Sequence, residues 1–205
     1  MRKNPFSTMF MAVVTLGAGG PALAGHHLWD VHEIFSNADG TIQFIELWES
    51  TGDNAENGIG PFGVTSNANT FQFVTNLPPG DTGFKFVLLA TSGFAALPGA
   101  VTPDYIIPDN FFSINGDSIN YAGGLDILTF GLGVLPTDGV VSLNRDLTTG
   151  TNSPTNFAGA IGSIDLSGPE VPALSTWGLA VMAALLVAAS AFIYSRRQRH
   201  GAAAW

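Results

Sequence analysis

The chain has 205 residues, a formal net charge of -9 at pH 7 and no cysteine. It therefore uses neither disulfides nor thiolate metal sites, and a cysteine nucleophile is excluded. Between residues 25 and 170 lie all sixteen acidic residues but only two basic ones, Lys85 and Arg145. Because nucleic-acid binding places lysine and arginine on the phosphates, this composition excludes a nucleic-acid partner.

The N-terminus has the parts of a secretory signal peptide. Two basic residues follow the initiating methionine, and a short apolar stretch covers residues 9–16. Ala22 and Ala24 then supply the small residues of a cleavage site. The sequence predicts a signal peptide over residues 1–24, cleaved after Ala24. The alternative is an uncleaved N-terminal anchor, which the shortness of the apolar stretch disfavours.

The C-terminus carries a second apolar stretch. Residues 177–194 contain no charge, and as a helix they would cover roughly 27 Å, close to the thickness of a bilayer's hydrocarbon core. Trp177 and Tyr194 mark the ends, where aromatic rings favour the headgroup region. We therefore predict a transmembrane helix at about residues 174–194, with the N-terminus outside; a buried core helix is the alternative. A basic cytoplasmic tail follows with Arg196, Arg197 and Arg199.

A short motif stands just before this apolar stretch. Its residues are Val171, Pro172, Leu174, Ser175, Trp177, Gly178 and Leu179. With the apolar stretch and the arginines, it resembles a bacterial C-terminal sorting signal of the IPTL-CTERM type, related to the PEP-CTERM signals. The resemblance implies export, membrane anchoring and processing by an exosortase-like enzyme. The protein would then lie in the cell envelope or be released to the extracellular matrix.

The remaining body, residues 25–168, precedes a sorting region at residues 169–205. The body is long enough for one domain with a hydrophobic core. Runs of β-branched and aromatic residues alternate with Gly, Pro, Asn and Asp, which predicts short strands and no amphipathic helix. This pattern favours a β-sandwich, with a small barrel as the alternative. The predicted strands cover residues 28–35, 41–48, 70–75, 84–90, 111–114, 118–121, 127–130 and 140–143.

The first two predicted strands are joined by a turn that ends in Asp39 and Gly40, which favours a hairpin. Residues 33–47 of this hairpin resemble the opening of the lamin tail domain, and residues 86–90 and 130–143 resemble its later strands. The resemblance implies an immunoglobulin-like sandwich without catalytic residues. The predicted fold class is therefore all-β, an immunoglobulin-like (lamin-tail-like) β-sandwich plus a single C-terminal transmembrane helix.

One histidine cluster lies at the start of the body. Imidazoles and carboxylates are ligands for zinc or copper, so this cluster supplies the metal-ligand candidates His26, His27, Asp30 and His32. Asp30 and His32 would share one face of a strand. The zinc-protease pattern His-Glu-x-x-His is absent, because its second histidine position is Ser36.

Glu33 and Glu46 each lie within an otherwise apolar predicted strand. If the hairpin pairs them, they could share a site for acid–base work. The favoured alternative is that they accept hydrogen bonds from loop amides or face solvent.

Two further residue sets are candidates for binding. Oxygen ligands for calcium could come from Asp104, Asp109, Asp117, Asp126 and Asp138, although turn formation explains most of them. A sugar-binding surface could be built from Trp48, Tyr105, Phe111, Phe112 and Tyr121, although core filling is the commoner use of such side chains. Neither a Gly-x-Ser-x-Gly elbow nor a phosphate-binding glycine loop occurs in the sequence.

These observations predict an exported, membrane-anchored or surface-sorted envelope protein that is not an enzyme and has no resident cofactor. Its body would present a non-catalytic surface to an extracellular polymer or protein. Calcium or a transition metal stays open as a ligand. The alternative hypothesis is a metal-dependent envelope enzyme that uses the N-terminal His/Asp/Glu cluster.

Overall fold

The computed structural model describes residues 25–168 and Leu185. The chain divides into two units after Leu166, and all strands of the described residues lie in the first. The predicted cleavage residues, the sorting motif and the arginine cluster lie outside the described residues. The predicted membrane span also lies outside them, apart from Leu185.

Ten strands and one short helix form the described part of the chain. Six strands make one sheet in the order β10-β9-β1-β2-β5-β6, and four make a second in the order β4-β3-β7-β8. Neighbouring strands are antiparallel except β5 and β6, which are parallel. In chain order the elements are β1 (Trp29–Ser36), β2 (Gln43–Glu49), β3 (Gly63–Thr65), β4 (Thr70–Gln72), β5 (Phe86–Thr91), α1 (Ser92–Ala95), β6 (Tyr105–Ile107), β7 (Asp117–Tyr121), β8 (Asp126–Phe130), β9 (Val141–Asn144) and β10 (Thr149–Thr151).

The predicted fold class is wrong. The structure is mainly β-sheet, and the helix α1 has four residues. Within residues 25–168 and at Leu185, no helix is long and apolar enough to span a membrane. A span needs about 20 consecutive apolar helical residues. The immunoglobulin-like part of the prediction relied on strand number and short motifs. The observed sheets have six and four strands, whereas an immunoglobulin domain has sheets of four and three or four and five strands.

The main hydrophobic core lies between the two sheets. Trp29, Val31 and Leu47 contribute from the large sheet, and Ile119 and Tyr121 contribute from the small one. A second cluster covers part of the opposite, outer face of the large sheet. There the outward residues of β1, β2 and β5 pack against Phe94, Val101 and Ile164, which belong to α1 and to later loops.

The predicted first hairpin is present, and β1 and β2 pair in antiparallel register with a bulge between Val31 and Glu33. The strand predicted at residues 111–114 is absent from the structure. Instead, the buried Gln43 side chain donates from Nε2 to the carbonyl of Phe112 (2.9 Å) and accepts from its N–H (3.4 Å). One amide side chain therefore satisfies this backbone in place of a neighbouring strand.

Candidate functional site

The outer face of the large sheet is arranged in rows across β1, β2 and β5. The strand register places these residues side by side: Phe35, Phe44 and Ala90 in the first row; Glu33, Glu46 and Leu88 in the second; Asp30, Trp48 and Phe86 in the third. The first row is buried under the second hydrophobic cluster. The third row is half-buried, so this end of the face is accessible.

The second row contains two buried carboxylates, Glu33 and Glu46, each 1% exposed. Glu33 accepts hydrogen bonds from the N–H (2.9 Å) and the hydroxyl (2.8 Å) of Ser153. Glu46 accepts from the N–H of Thr155 at 2.6 Å. The pair therefore holds the segment that contains Ser153 and Thr155 against the sheet.

Burial, together with the neighbouring charge of Glu33, raises the pKa of Glu46 to about 8. A raised carboxyl pKa is a common mark of an acid–base catalyst. A catalyst must also reach its substrate, and at 1% exposure neither carboxylate does. Of the two sequence hypotheses for this pair, the structure therefore supports loop attachment.

The third row adjoins an open cleft of about 620 Å³, here called the aromatic cleft. It is lined by His32, Trp48, Asn144, Arg145, Asp146 and Thr148. The ring of Trp48 lies nearly parallel to that of Phe86, at an angle of 9° and with centroids 6.0 Å apart. The opposite wall belongs to the turn between β9 and β10, so the cleft combines an aromatic side with a polar one.

The cation of the polar wall, Arg145, is paired within the protein. Both terminal nitrogens of Arg145 donate to the Asp126 carboxylate at 2.5 Å, and the Asp30 carboxylate lies 3.8 Å away. The same Asp126 accepts the N–H of Val31 at 2.7 Å. The hydrogen bonds and charge of Asp126 raise the pKa of Arg145 further above its usual value. Arg145 is thus a fixed, neutralised donor rather than a free cation.

His32 lies between the aromatic side and the polar wall. Its ring is 5.0 Å from Trp48 and 5.7 Å from Phe86, measured between centroids. Burial lowers its pKa, so the imidazole is neutral at pH 7. Its Nδ1 is buried without a hydrogen-bond partner among the described residues. His32 therefore contributes a flat, uncharged ring to the cleft.

The metal-ligand candidates do not converge. His26 stacks on Phe62 with centroids 3.5 Å apart, and His27 Nδ1 lies 3.4 Å from Glu56. Asp30 accepts from the hydroxyl of Ser50 at 3.2 Å. Across residues 25–168, no group of three or more His, Asp or Glu side chains could hold a metal ion.

The five aspartates considered for calcium are also apart. Asp104, Asp117 and Asp126 accept hydrogen bonds from backbone N–H groups, as does the exposed Asp138 in the turn before β9. Asp109 is exposed in a loop. These contacts are those of turn and loop attachment.

The five aromatic residues considered for sugar binding divide between core and surface. Phe111, Phe112 and Tyr121 are at most 2% exposed and fill the core. Tyr105 lines a second cavity, of about 510 Å³, together with Lys85 and Asp104. Trp48 alone of the five lines the aromatic cleft. The sequence did not indicate Phe86, Asn144 or Thr148 as its neighbours, because distant segments bring them together.

Comparison with known protein families identifies one region of the chain. Residues 171–200 match the IPTL-CTERM motif, a C-terminal sorting signal, as the sequence predicted. No curated protein and no solved structure matches the chain. The lamin tail resemblance is therefore not confirmed. The sorting signal indicates an exported, surface-sorted protein of the envelope or extracellular space and implies processing by an exosortase-like enzyme.

Proposed function

We propose that this protein is a non-catalytic binding module of the cell surface, which contacts a neutral polysaccharide through the aromatic cleft. The observation that carries the proposal is an accessible aromatic side, Trp48 with His32, that faces a polar wall whose cation, Arg145, is already paired with Asp126. The sorting signal supplies the setting in which such a polymer would be met.

The chemistry of the cleft favours a sugar over a charged ligand. Sugar rings have apolar C–H faces, which pack on aromatic rings, and hydroxyl groups at their edges, which need donors and acceptors. Asn144, Asp146 and Thr148 supply both kinds of group. An anionic ligand would need a free cation, but Arg145 is paired with Asp126.

The open shape of the cleft also disfavours a protein partner. Protein interfaces draw most of their affinity from large side chains in deep, desolvated pockets. The aromatic cleft is shallow, and its wall residues Arg145, Asp146 and Thr148 are exposed. An extended chain of sugar rings fits such a surface better than an inserted side chain.

The rival hypothesis of a metal-dependent enzyme has less support. Its candidate ligands at residues 26–32 each contact a different part of the protein and do not form a metal site. The paired carboxylates Glu33 and Glu46 are buried beneath a loop. Metal analysis of the purified chain tests it, and stoichiometric zinc or copper would favour the enzyme.

The route to the surface is part of the proposal. Residues 1–24 would be removed as a signal peptide, residues 25–168 would form the binding body, and residues 169–205 would act as the sorting region. Intact-mass analysis of cell-bound and released fractions tests this route. We expect a released species that begins at Gly25 and ends near the motif at residues 171–179. A chain that keeps Trp205 in every fraction would contradict processing.

Binding is tested with the full chain purified from its native cell. The probes are cello- and malto-oligosaccharides as neutral ligands and alginate oligosaccharides as anionic ones, measured by calorimetry. We expect binding of a neutral probe, at least tenfold weaker in Trp48→Ala. Phe84→Ala is the matched control, because Phe84 is an aromatic residue, 63% exposed, that does not line the cleft.

A second variant separates folding from binding. Trp48→Phe keeps an aromatic ring and should bind more tightly than Trp48→Ala, while circular dichroism shows whether both are folded. Neutral-sugar binding that is equal in Trp48→Ala and the native chain would overturn the proposal. Binding of alginate alone, or of a protein partner alone through Trp48, would also overturn it.

A further inference from the structure

Glu56 is a buried carboxylate without a permanent positive partner. It is 2% exposed and lies in the loop between β2 and β3. Its Oε2 accepts the N–H of Leu28 at 3.1 Å, and its Oε1 lies 3.4 Å from Nδ1 of His27, a side chain 59% exposed. Buried carboxylates normally have a charged or multiply hydrogen-bonded partner.

The two basic residues of the described chain are engaged elsewhere. Arg145 pairs with Asp126, and Nζ of Lys85 lies 5.5 Å from the ring centroid of Phe157. Among residues 25–168, neither lysine nor arginine pairs with Glu56.

The Glu56 carboxylate lies directly against Gly25. A Cβ on Gly25 would overlap Oε1 and would come within 2.8 Å of Cδ, so a side chain at this position would displace the carboxylate. The backbone of Gly25 is held at the same place. Its N–H donates to the carbonyl of Ala55 at 2.6 Å, and its own carbonyl accepts from Gly58 at 2.8 Å.

We infer that the missing partner is the α-ammonium group created when the signal peptide is removed. Hydrolysis of the bond between Ala24 and Gly25 consumes one water. The Ala24 carbonyl becomes a carboxylic acid that loses its proton, and the Gly25 nitrogen becomes an amine that takes up one proton. One neutral N–H thereby becomes a cation with three donors. One donor stays on the Ala55 carbonyl, and the positive charge lies beside Glu56. This inference rests on the proposed cleavage after Ala24.

The ion pair would attach the new N-terminus to both sheets. Trp29 Nε1 donates to the Glu56 carbonyl at 2.8 Å, and the Tyr121 hydroxyl donates to the His26 carbonyl at 2.7 Å. The loop is held as well, because the N–H of Glu56 donates to the Thr82 hydroxyl at 2.9 Å. Residues 25–29 are therefore in place to receive the charge, and a terminus shifted by one residue would not present it to Glu56.

The test is the reactivity of the α-amine. After cleavage the described body contains only two amino groups, that of Gly25 and that of Lys85, so Lys85 is an internal reference. The mature chain is treated with an acetylating ester at pH 8, and each site is followed by mass spectrometry. We expect the Gly25 amine to react at least fivefold faster in Glu56→Gln than in the native chain, with Lys85 unchanged. Asp53→Asn, an exposed acid in the same loop, should behave as the native chain does.

A second measurement does not depend on the variant's folding. The pKa of the Gly25 amine, measured by NMR in the native chain, should lie above the value of about 8 for a free α-amine. Equal acetylation rates in the native chain and Glu56→Gln, or a pKa at or below that value, would overturn the inference. An N-terminus other than Gly25 in the intact mass would also overturn it. None of these readouts involves sugar binding, so failure here is distinct from failure of the proposed function.

Discussion

Glu33 and Glu46 are direct cross-strand neighbours in the β1–β2 hairpin, and both carboxylates are buried. Like charges so placed repel one another, and burial adds a further cost to ionisation. The structure uses them to attach Ser153 and Thr155, in a chain that contains no disulfide. They also set the boundary between the covered half of the sheet and the aromatic cleft.

The raised pKa of Glu46 predicts a pH-dependent stability. Its value rises from 4.5 to about 8 on folding, so the folded chain holds a proton that the unfolded chain releases within that window. The free energy of unfolding should therefore fall as pH rises from about 4.5 to 8, by up to about 1.4 kcal/mol per unit from this group, and level off above. Urea unfolding at several pH values measures this slope.

Glu46→Gln should reduce that slope, because the amide oxygen still accepts the N–H of Thr155 but does not ionise. The variant should also be more stable than the native chain at pH 8. Asp109→Asn removes an exposed carboxyl and is the control, with the native slope retained. A slope unchanged in Glu46→Gln would show that another group is responsible.

Asp126→Asn should destabilise the fold. The change removes the negative partner of Arg145 but keeps an acceptor for the N–H of Val31. Because Arg145 is 42% exposed, solvent reduces the loss to about 2 kcal/mol, below that of a fully buried pair. Denaturant unfolding measures it. Asp81→Asn, at an exposed turn, should change stability by less than about 0.5 kcal/mol; equal effects of the two changes would contradict a structural role for the Asp126–Arg145 pair.

Gln43→Leu tests the side chain that replaces a strand neighbour. The variant leaves the N–H and carbonyl of Phe112 unsatisfied in a buried site, which should cost about 2–3 kcal/mol of unfolding free energy. Faster hydrogen exchange at the Phe112 amide should accompany the loss. Gln72→Leu, on an exposed strand position, is the matched control. Native exchange at Phe112 in Gln43→Leu would show that other contacts hold this segment.

The sequence by itself determined the features that local chemistry specifies. The β1–β2 hairpin follows from alternating apolar residues around an Asp-Gly turn, and Gly40 adopts the positive φ of 73° that such a turn requires. The sorting signal was recognisable from its consecutive residues, since residues 171–200 match it as a continuous motif. The sequence also left two roles open for Glu33 and Glu46, acid–base catalysis or attachment of a loop.

Only the tertiary structure decided how distant segments meet. The strands β3, β6 and β10 were not predicted, because a three-residue strand carries little periodicity and owes its conformation to its neighbours. The equally short β4 was predicted because it lies within a longer run at residues 70–75 that is rich in aromatic and β-branched residues. The aromatic cleft joins Trp48 to Asn144 and Thr148, nearly a hundred residues away along the chain. Such contacts arise because burial and backbone pairing are satisfied over the whole fold at once, and no local window of sequence contains them.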